Sequence, residues 1–379
     1  MRESGRGRGR RPERLHHPLS LLAGFIPVVM VFFACALGSI PRHFSMSSFL
    51  LPLLGIAVIT NVEAGKNRYG RYKRYHLPEL VGDRGLVVET ETMEEIDGAM
   101  DRILSRGERV ICLNGGDGTV QRALTRLVNR FGEDEDSLPV IFPLRGGTMN
   151  LLADHLNIKG STPELMERAL RAVEEGEEIP FVRVPSLRVT RRMGDREERE
   201  YGFFFGHGAL YRFHRVYYRD TKGGPLAAAT LFAKCAFGGA TGRTRYRDVF
   251  GMTPARLLID DFEMPGDRFT VILAVIFKVV VITFDAFRDV GEGDFYVLAT
   301  NVPFFRMVGR LPRLLWARGA EPPYPREEFF NERASRVFIE CHEGYSLDGE
   351  VFELEEPYTL TVERGPMVKV LTPAPTIRP

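Results

Sequence analysis

From position 54 onward the chain alternates short apolar runs with stretches whose apolar residues recur every three or four positions. LGIAVITN (54–61), GLVVET (85–90), RVICLN (109–114) and LPVIFP (138–143) have the length and β-branched content of buried strands. Between the second and third, Met93, Ile96, Met100, Ile103 and Leu104 share one helical face, and Thr92 with Glu95 three residues on predicts a capping box. A later stretch, STPELMERALRAVEEG, predicts a helix capped by Thr162 with Pro163 at its first position. Strands alternating with helices of this length imply crossover connections and a parallel sheet.

Beyond Pro180 the period changes. FVRVPSLRVT, YGFFFGHG, ARLLID, DFYVLATN, SRVFIECHEGYSL and PYTLTVERGPMVKVLTP follow one another as strands, with RRMGDREERE expected as a charged turn. Helical insertions are expected near 211–220 and 225–237. The apolar run 270–284 is about fifteen residues long, β-branched and interrupted by Lys278, so it reads as two buried strands rather than a span. The expected fold class is therefore an α/β domain with a parallel sheet, residues 46–160, followed by a mostly antiparallel β domain, residues 161–360.

Residues 1–45 stand apart. The first seventeen carry six arginines against two glutamates, and Leu21 to Ile40 is uncharged. Such a run is long enough to cross a bilayer, although Pro27 and two glycines weaken it. Three readings stay open: a single N-terminal anchor, a secretory signal, or a true start at Met46. Composition adds exclusions. A formal net charge of +1 gives no electrostatic footprint for nucleic acid. Cys35, Cys112, Cys235 and Cys341 are scattered, which argues against a disulfide framework or a zinc site and fits a reducing compartment.

The chemistry concentrates in two corners. NGGDGTV places Gly115, Gly116, Asp117, Gly118 and Thr119 between a strand and a helix. Paired glycines let a ligand approach the main chain, and a helix start presents free N–H groups and partial positive charge to an anion such as phosphate. Asp117 is the odd member, because a carboxylate beside phosphate calls for a cation or for a hydroxyl proton to accept. Thr119 is expected to cap the helix. The loop lacks the spacing of a Walker motif or of the dinucleotide fingerprint. PLRGGTMN (143–150) repeats the grammar at the next strand, so two such corners lie on the same carboxyl edge, where open α/β sheets bind ligands.

Taken in order, VITNVEAGKN, NGGDGTV, PLRGGTMNLLADHLNI and YSLDGEVFELEEPYTLTVERGPMVKVLTP resemble the diacylglycerol kinase catalytic-domain family, which includes bacterial lipid kinases and sphingosine and ceramide kinases and is related to NAD kinases. The resemblance covers roughly 55–373. It implies an ATP-dependent lipid kinase using Mg²⁺, with an α/β nucleotide-binding domain, a β-sandwich lipid-binding domain, and a chain end, about 361–379, that returns to the first. It implies that Asn61, Gly115, Gly116, Asp117, Gly118, Thr119, Gly147, Thr148 and Asn150 form the nucleotide pocket. Asp348, Glu350 and Asp117 would be catalytic, Asp348 as base, with Asp117 and Asp348 as Mg²⁺ ligands. The partner would be a lipid substrate at the inner membrane face, with a homodimer left open.

This chain departs from the family after GGDGTV, where the usual Asn-Glu is Gln121-Arg122. Arg122 is either a phosphate contact or a solvated helix residue, and Arg145 offers another phosphate contact. Asp348-Gly349 alone would read as a hairpin turn, and His207 as a packed histidine. RYGRYKRY (68–75) is either a lipid-facing set or a solvated face. Two other functions stay open: a kinase of a soluble acceptor such as NAD, and a non-catalytic member that binds nucleotide or lipid.

Overall fold

A computed structural model describes residues 46–50, 55–67, 77–148, 150–175, 178–221, 225–242, 245–277, 280–281, 284–285, 287, 290–309, 324–354 and 356–372. The tail 1–45 with its apolar run, the basic set 68–75 and Met149 lie outside the described residues.

β1 (Met46–Leu50) pairs antiparallel with a later strand. β2 (Ile56–Asn61), β3 (Gly85–Thr90), β4 (Val110–Asn114) and β5 (Val140–Pro143) then form a parallel array in the order β3-β2-β4-β5. β4 and β5 are buried throughout, as strands covered on both faces must be. The order reverses at β2, because β3 lies on one side of it and β4 on the other. That reversal opens a crevice at the carboxyl ends of β2 and β4.

α1 (Leu77–Val81), α2 (Met93–Ser105), α3 (Asp117–Phe131), α4 (Leu151–His155) and α5 (Thr162–Glu175) connect or flank these strands. Thr92 caps α2 as expected, its hydroxyl accepting from the Glu95 N–H at 3.3 Å. Glu95 closes the box one residue early, accepting from the Glu91 N–H at 2.8 Å. α3 buries Val120, Ala123, Leu124, Leu127 and Val128 along one face.

The second half is antiparallel. β6 (Glu178–Met193) and β7 (Arg196–Gly202) form a long hairpin, followed by β8 (Phe204–Gly208). The expected charged turn is reduced to Gly194-Asp195, with positive φ at Gly194 as a II′ turn requires. Its remaining charges lie on the paired strands, where Arg191 meets Glu198 and Arg192 meets Glu197. Two helices follow, α6 (Ala209–Asp220) and α7 (Pro225–Thr241). β9 (Thr253–Ile259), β10 (Phe262–Glu263), β11 (Arg268–Phe269), β12 (Val271–Val275), β13 (Val280–Val281), β14 (Phe284–Asp285), β15 (Phe295–Thr300) and α8 (Phe304–Gly309) come next. β16 (Phe329–Ala334), β17 (Arg336–Cys341), β18 (Tyr345–Leu347), β19 (Glu350–Phe352) and β20 (Tyr358–Leu371) are the last of the described strands.

One sheet runs β16-β15-β12-β8-β18-β19. β13 and β14 pair by themselves, and the largest sheet is continuous with the parallel array, because β20 pairs antiparallel with β6 and β17 and then, at Val370, parallel with Ile141 of β5. The last strand thus stitches the two halves into one sheet, and one apolar cluster runs from Ile56 to Leu371, with a separate one around α6 and α7. Among the described residues no helix is long and apolar enough to cross a membrane.

Candidate active site at the carboxyl edge of the parallel strands

β4 ends at Asn114, and Gly115-Gly116 turn the chain so that α3 starts at Asp117. Gly116 is the N-cap in extended conformation and has no side-chain cap, which leaves the first-turn N–H groups facing the crevice. Thr119 does not cap the helix as expected. It lies buried in the first turn, packed so tightly on Gly115 that a side chain there would collide with it.

The second corner is built differently from the first. Arg145 (φ 63°) and Asn150 (φ 100°) both adopt the left-handed region, so the loop coils before α4 begins. Asn150 closes the coil: its Oδ1 accepts from the Gly147 N–H and its Nδ2 donates to the Gly147 carbonyl, both at 3.0 Å. The Asn150 N–H donates to Asp117 Oδ2 at 3.0 Å, which joins the second corner to the first. Glycine is required at 146 because a side chain would meet Asn114 Oδ1 at 2.5 Å and the Gly115 nitrogen at 2.9 Å.

Asn61 stands at the end of β2, its Oδ1 accepting from the Glu63 N–H at 3.0 Å. The loop that follows reaches the second corner: Lys66 N–H donates to the Gly146 carbonyl at 2.9 Å, and Gly65 lies against Thr148. Asn67, to which the motifs assigned no role, is the bracket of this edge. Its buried Nδ2 donates to the carbonyls of Asn61 at 2.7 Å and Asn114 at 3.0 Å, fixing the ends of β2 and β4 together. The asparagine closing VITNVEAGKN was the available signal, but only the fold reveals which carbonyls it serves.

The far end of the chain arrives through the β18–β19 hairpin. Asp348 (φ 49°) and Gly349 (φ 87°) both have positive φ, as a type I′ turn requires, so the hairpin reading and the site reading are both true. Asp348 is buried. It accepts from the Phe203 N–H at 3.0 Å and from the Phe204 N–H at 2.8 Å. Gly202 leaves room for it, since a side chain there would meet Asp348 Oδ2 at 2.6 Å. The carboxylate of Glu350 lies against Gly118 in the first turn of α3. The structure therefore brings together Asp117, Asp348 and Glu350.

Each of these acids resists ionisation. Loss of water pushes Asp117 up to about 7, with Asp154 adding to the effect and the N–H groups of Leu151 and Leu152 opposing it. Burial also raises Asp348 well above the ordinary carboxylate range, and the charges of Asp117 and Glu350 raise it further against the two backbone donors. Glu350 is raised by burial and lowered by Arg122. Among the described residues no group of three or more His, Cys, Asp or Glu side chains is arranged to hold a metal ion by itself. A cluster of mutually opposed acids facing open N–H groups does fit a small divalent cation that keeps its water and takes further oxygens from phosphate.

The two arginines are otherwise engaged. Arg122 forms a two-pronged pair with Asp97 of α2, Nε to Oδ1 at 3.0 Å and Nη2 to Oδ2 at 2.6 Å, which is the helix-surface reading. Gln121 donates to Thr125 Oγ1 and Glu200 Oε2. Arg145 pairs with Asp154 and donates to the Ile158 carbonyl at 2.9 Å. His207 is fully buried in β8, its Nε2 3.2 Å from the Glu343 carbonyl oxygen.

Residues 55–181 match the family model of the diacylglycerol kinase catalytic domain. Two crystal structures from Bacillus anthracis str. Sterne share the fold. One, of a candidate diacylglycerol kinase, superposes with a TM-score of 0.55 at 13% identity, covering 88% of this chain and 99% of that one. The other, of a diacylglycerol kinase, gives 0.51 at 11% identity with coverages of 88% and 99%. A yeast NADH kinase complexed with NADH aligns at a TM-score of 0.42 and 12% identity, covering 89% of each chain. Among the curated proteins none matches. The segment that carries both glycine corners is thus similar to the diacylglycerol kinase catalytic domain over residues 55–181.

Proposed function

We propose that the protein is an ATP-dependent kinase that transfers the γ-phosphoryl group to the hydroxyl of a lipid, diacylglycerol being the default acceptor. The observation that carries this reading is the meeting of Asp348 and Glu350, from the antiparallel half, with Asp117 at the open start of α3. ATP phosphates suit the uncapped helix start and the Gly115-Gly116 and Gly146-Gly147 corners. In the reaction the acceptor oxygen bonds to the γ-phosphorus, the bond to the β-phosphate oxygen breaks, ADP leaves, and the hydroxyl proton passes to a carboxylate. Asp348, held rigidly by Phe203 and Phe204 and with a raised proton affinity, suits that last role. Mg²⁺ would be met by Asp117 and Asp348 and would offset phosphate charge.

A lipid acceptor is supported by α7. Leu226 (81% exposed), Thr230, Ala233 and Phe237 (63% exposed) recur at helical spacing along its outer face, and Phe305 is exposed nearby. An apolar face of this kind suits peripheral work on a membrane, and its supply of ATP points to the cytosolic leaflet.

The test is incubation of γ-labelled ATP with a total lipid extract and, separately, with NAD. A labelled lipid is expected, and Asp348→Asn is expected to abolish it. A labelled NADP with no lipid product would replace the reading by a soluble-acceptor kinase. Full lipid phosphorylation by Asp348→Asn would remove Asp348 from the mechanism.

A further inference from the structure

Tyr218 belongs to none of the motifs, yet it reaches the acid cluster. It lies near the end of α6, whose Phe213 and Val216 face the core, while Tyr218 is 58% exposed. An exposed tyrosine ring is unremarkable by itself. What sets this one apart is where its hydroxyl ends: 3.1 Å from the point where a side chain would begin on Gly349, in the turn that carries Asp348. The ring is steadied from behind by Tyr217, edge-on at 5.5 Å, and by His214 at 6.5 Å. Burial of the hydroxyl end and the nearby charges of Glu350 and Asp117 raise its pKa, so the phenol stays protonated and available as a donor. Among the described residues nothing takes up that hydroxyl.

The ring and the hydroxyl of Tyr218 thus lie beside the turn that carries Asp348, one apolar and the other polar, with Glu350 and Asp117 near enough to act on the phenol. We propose that Tyr218 positions the acceptor alcohol, its hydroxyl donating to an oxygen of the polar end and its ring packing on the first methylenes of the apolar part. Glycine at 349 lets the hydroxyl come this close to the Asp348 turn, since a side chain there would begin 3.1 Å from it. This inference rests on the lipid-kinase reading above and names the residue that holds the acceptor for it.

The experiment uses the full chain, ATP with Mg²⁺, and dioctanoylglycerol in mixed micelles, comparing wild type with Tyr218→Phe and Tyr218→Leu. Tyr218→Phe should lower kcat/KM for the acceptor about tenfold, the loss expected for one hydrogen bond, while KM for ATP stays at the wild-type value. Tyr218→Leu should lower it further by removing the ring, and thermal melts of both variants should match wild type because the side chain is exposed. Wild-type acceptor kinetics in Tyr218→Phe, or an equal rise in KM for ATP, would remove Tyr218 from acceptor binding and leave the kinase reading intact. A wild-type protein that labels no lipid alcohol at all would overturn the kinase reading and this inference with it.

Discussion

Gly147 stands so close to Gly116 that a methyl group on Gly147 would fall well inside contact distance of the Gly116 Cα. The reverse is not true: a methyl on Gly116 would rest 3.5 Å from the Gly147 Cα, an ordinary contact. The two glycine corners are thus pressed together backbone against backbone, and the contact is asymmetric.

Gly147→Ala should therefore destabilise the protein by about 1–3 kcal/mol, the usual range for forcing an extra methyl into a filled space. Gly116→Ala should cost less. Urea melts of the two variants decide the matter, and a Gly147→Ala protein as stable as wild type would contradict the close approach.

Gly118→Ala separates stability from activity. The added methyl would displace the Glu350 carboxylate, which is the end of a flexible side chain and can swing away. Replacing a helical glycine by alanine should leave stability unchanged or raise it by up to about 1 kcal/mol. Phosphoryl transfer should fall because Glu350 leaves its place. Undiminished transfer would show that Glu350 is not needed where it stands.

Arg122→Ala tests the two roles open to that residue. Its pair with Asp97 is partly exposed, with side-chain accessibilities of 29% and 25%, so its loss should cost about 0.5–1 kcal/mol. ATP affinity, measured by calorimetry, should be unchanged, since the guanidinium is committed to α2. A tenfold loss of ATP affinity would return Arg122 to the phosphates.

Acid should weaken the fold through its buried histidines. Burial drops His207 from 6.5 to about 4, with Glu343 opposing the drop and Arg212 adding to it. Because the folded value lies below the unfolded one, the stabilisation is complete above about pH 6.5 and is lost as pH falls toward 4. For this residue alone the loss between pH 7 and pH 5 is about 2 kcal/mol. His155 and His214, also lowered to about 4, act in the same direction. In His207→Gln, which keeps a donor for the Glu343 carbonyl, urea melts at the two pH values should differ by about 2 kcal/mol less than in wild type. An unchanged difference would mean that His207 is not held neutral.

The sequence by itself determined the alternation of strand and helix up to α5, the capping of α2, the two glycine corners and the Asp348-Gly349 turn. Each is a local matter of period, propensity and positive φ, so neighbouring residues suffice to decide it. It also yielded Asp117, Asp348 and Glu350 as a set through family resemblance, though not their arrangement. Tertiary structure decided what depends on chain segments far apart. It sent Arg122 to Asp97 and Arg145 to Asp154, made Asn67 the bracket between two strand ends, and bonded Asp348 to the Phe203 and Phe204 N–H groups. It also carried Tyr218 to the edge of the acid cluster. A long, flexible or aromatic side chain has no destination encoded in its own neighbourhood. Its partner is fixed only when sheets and helices have packed and the remaining charges and donors must be satisfied across the gap.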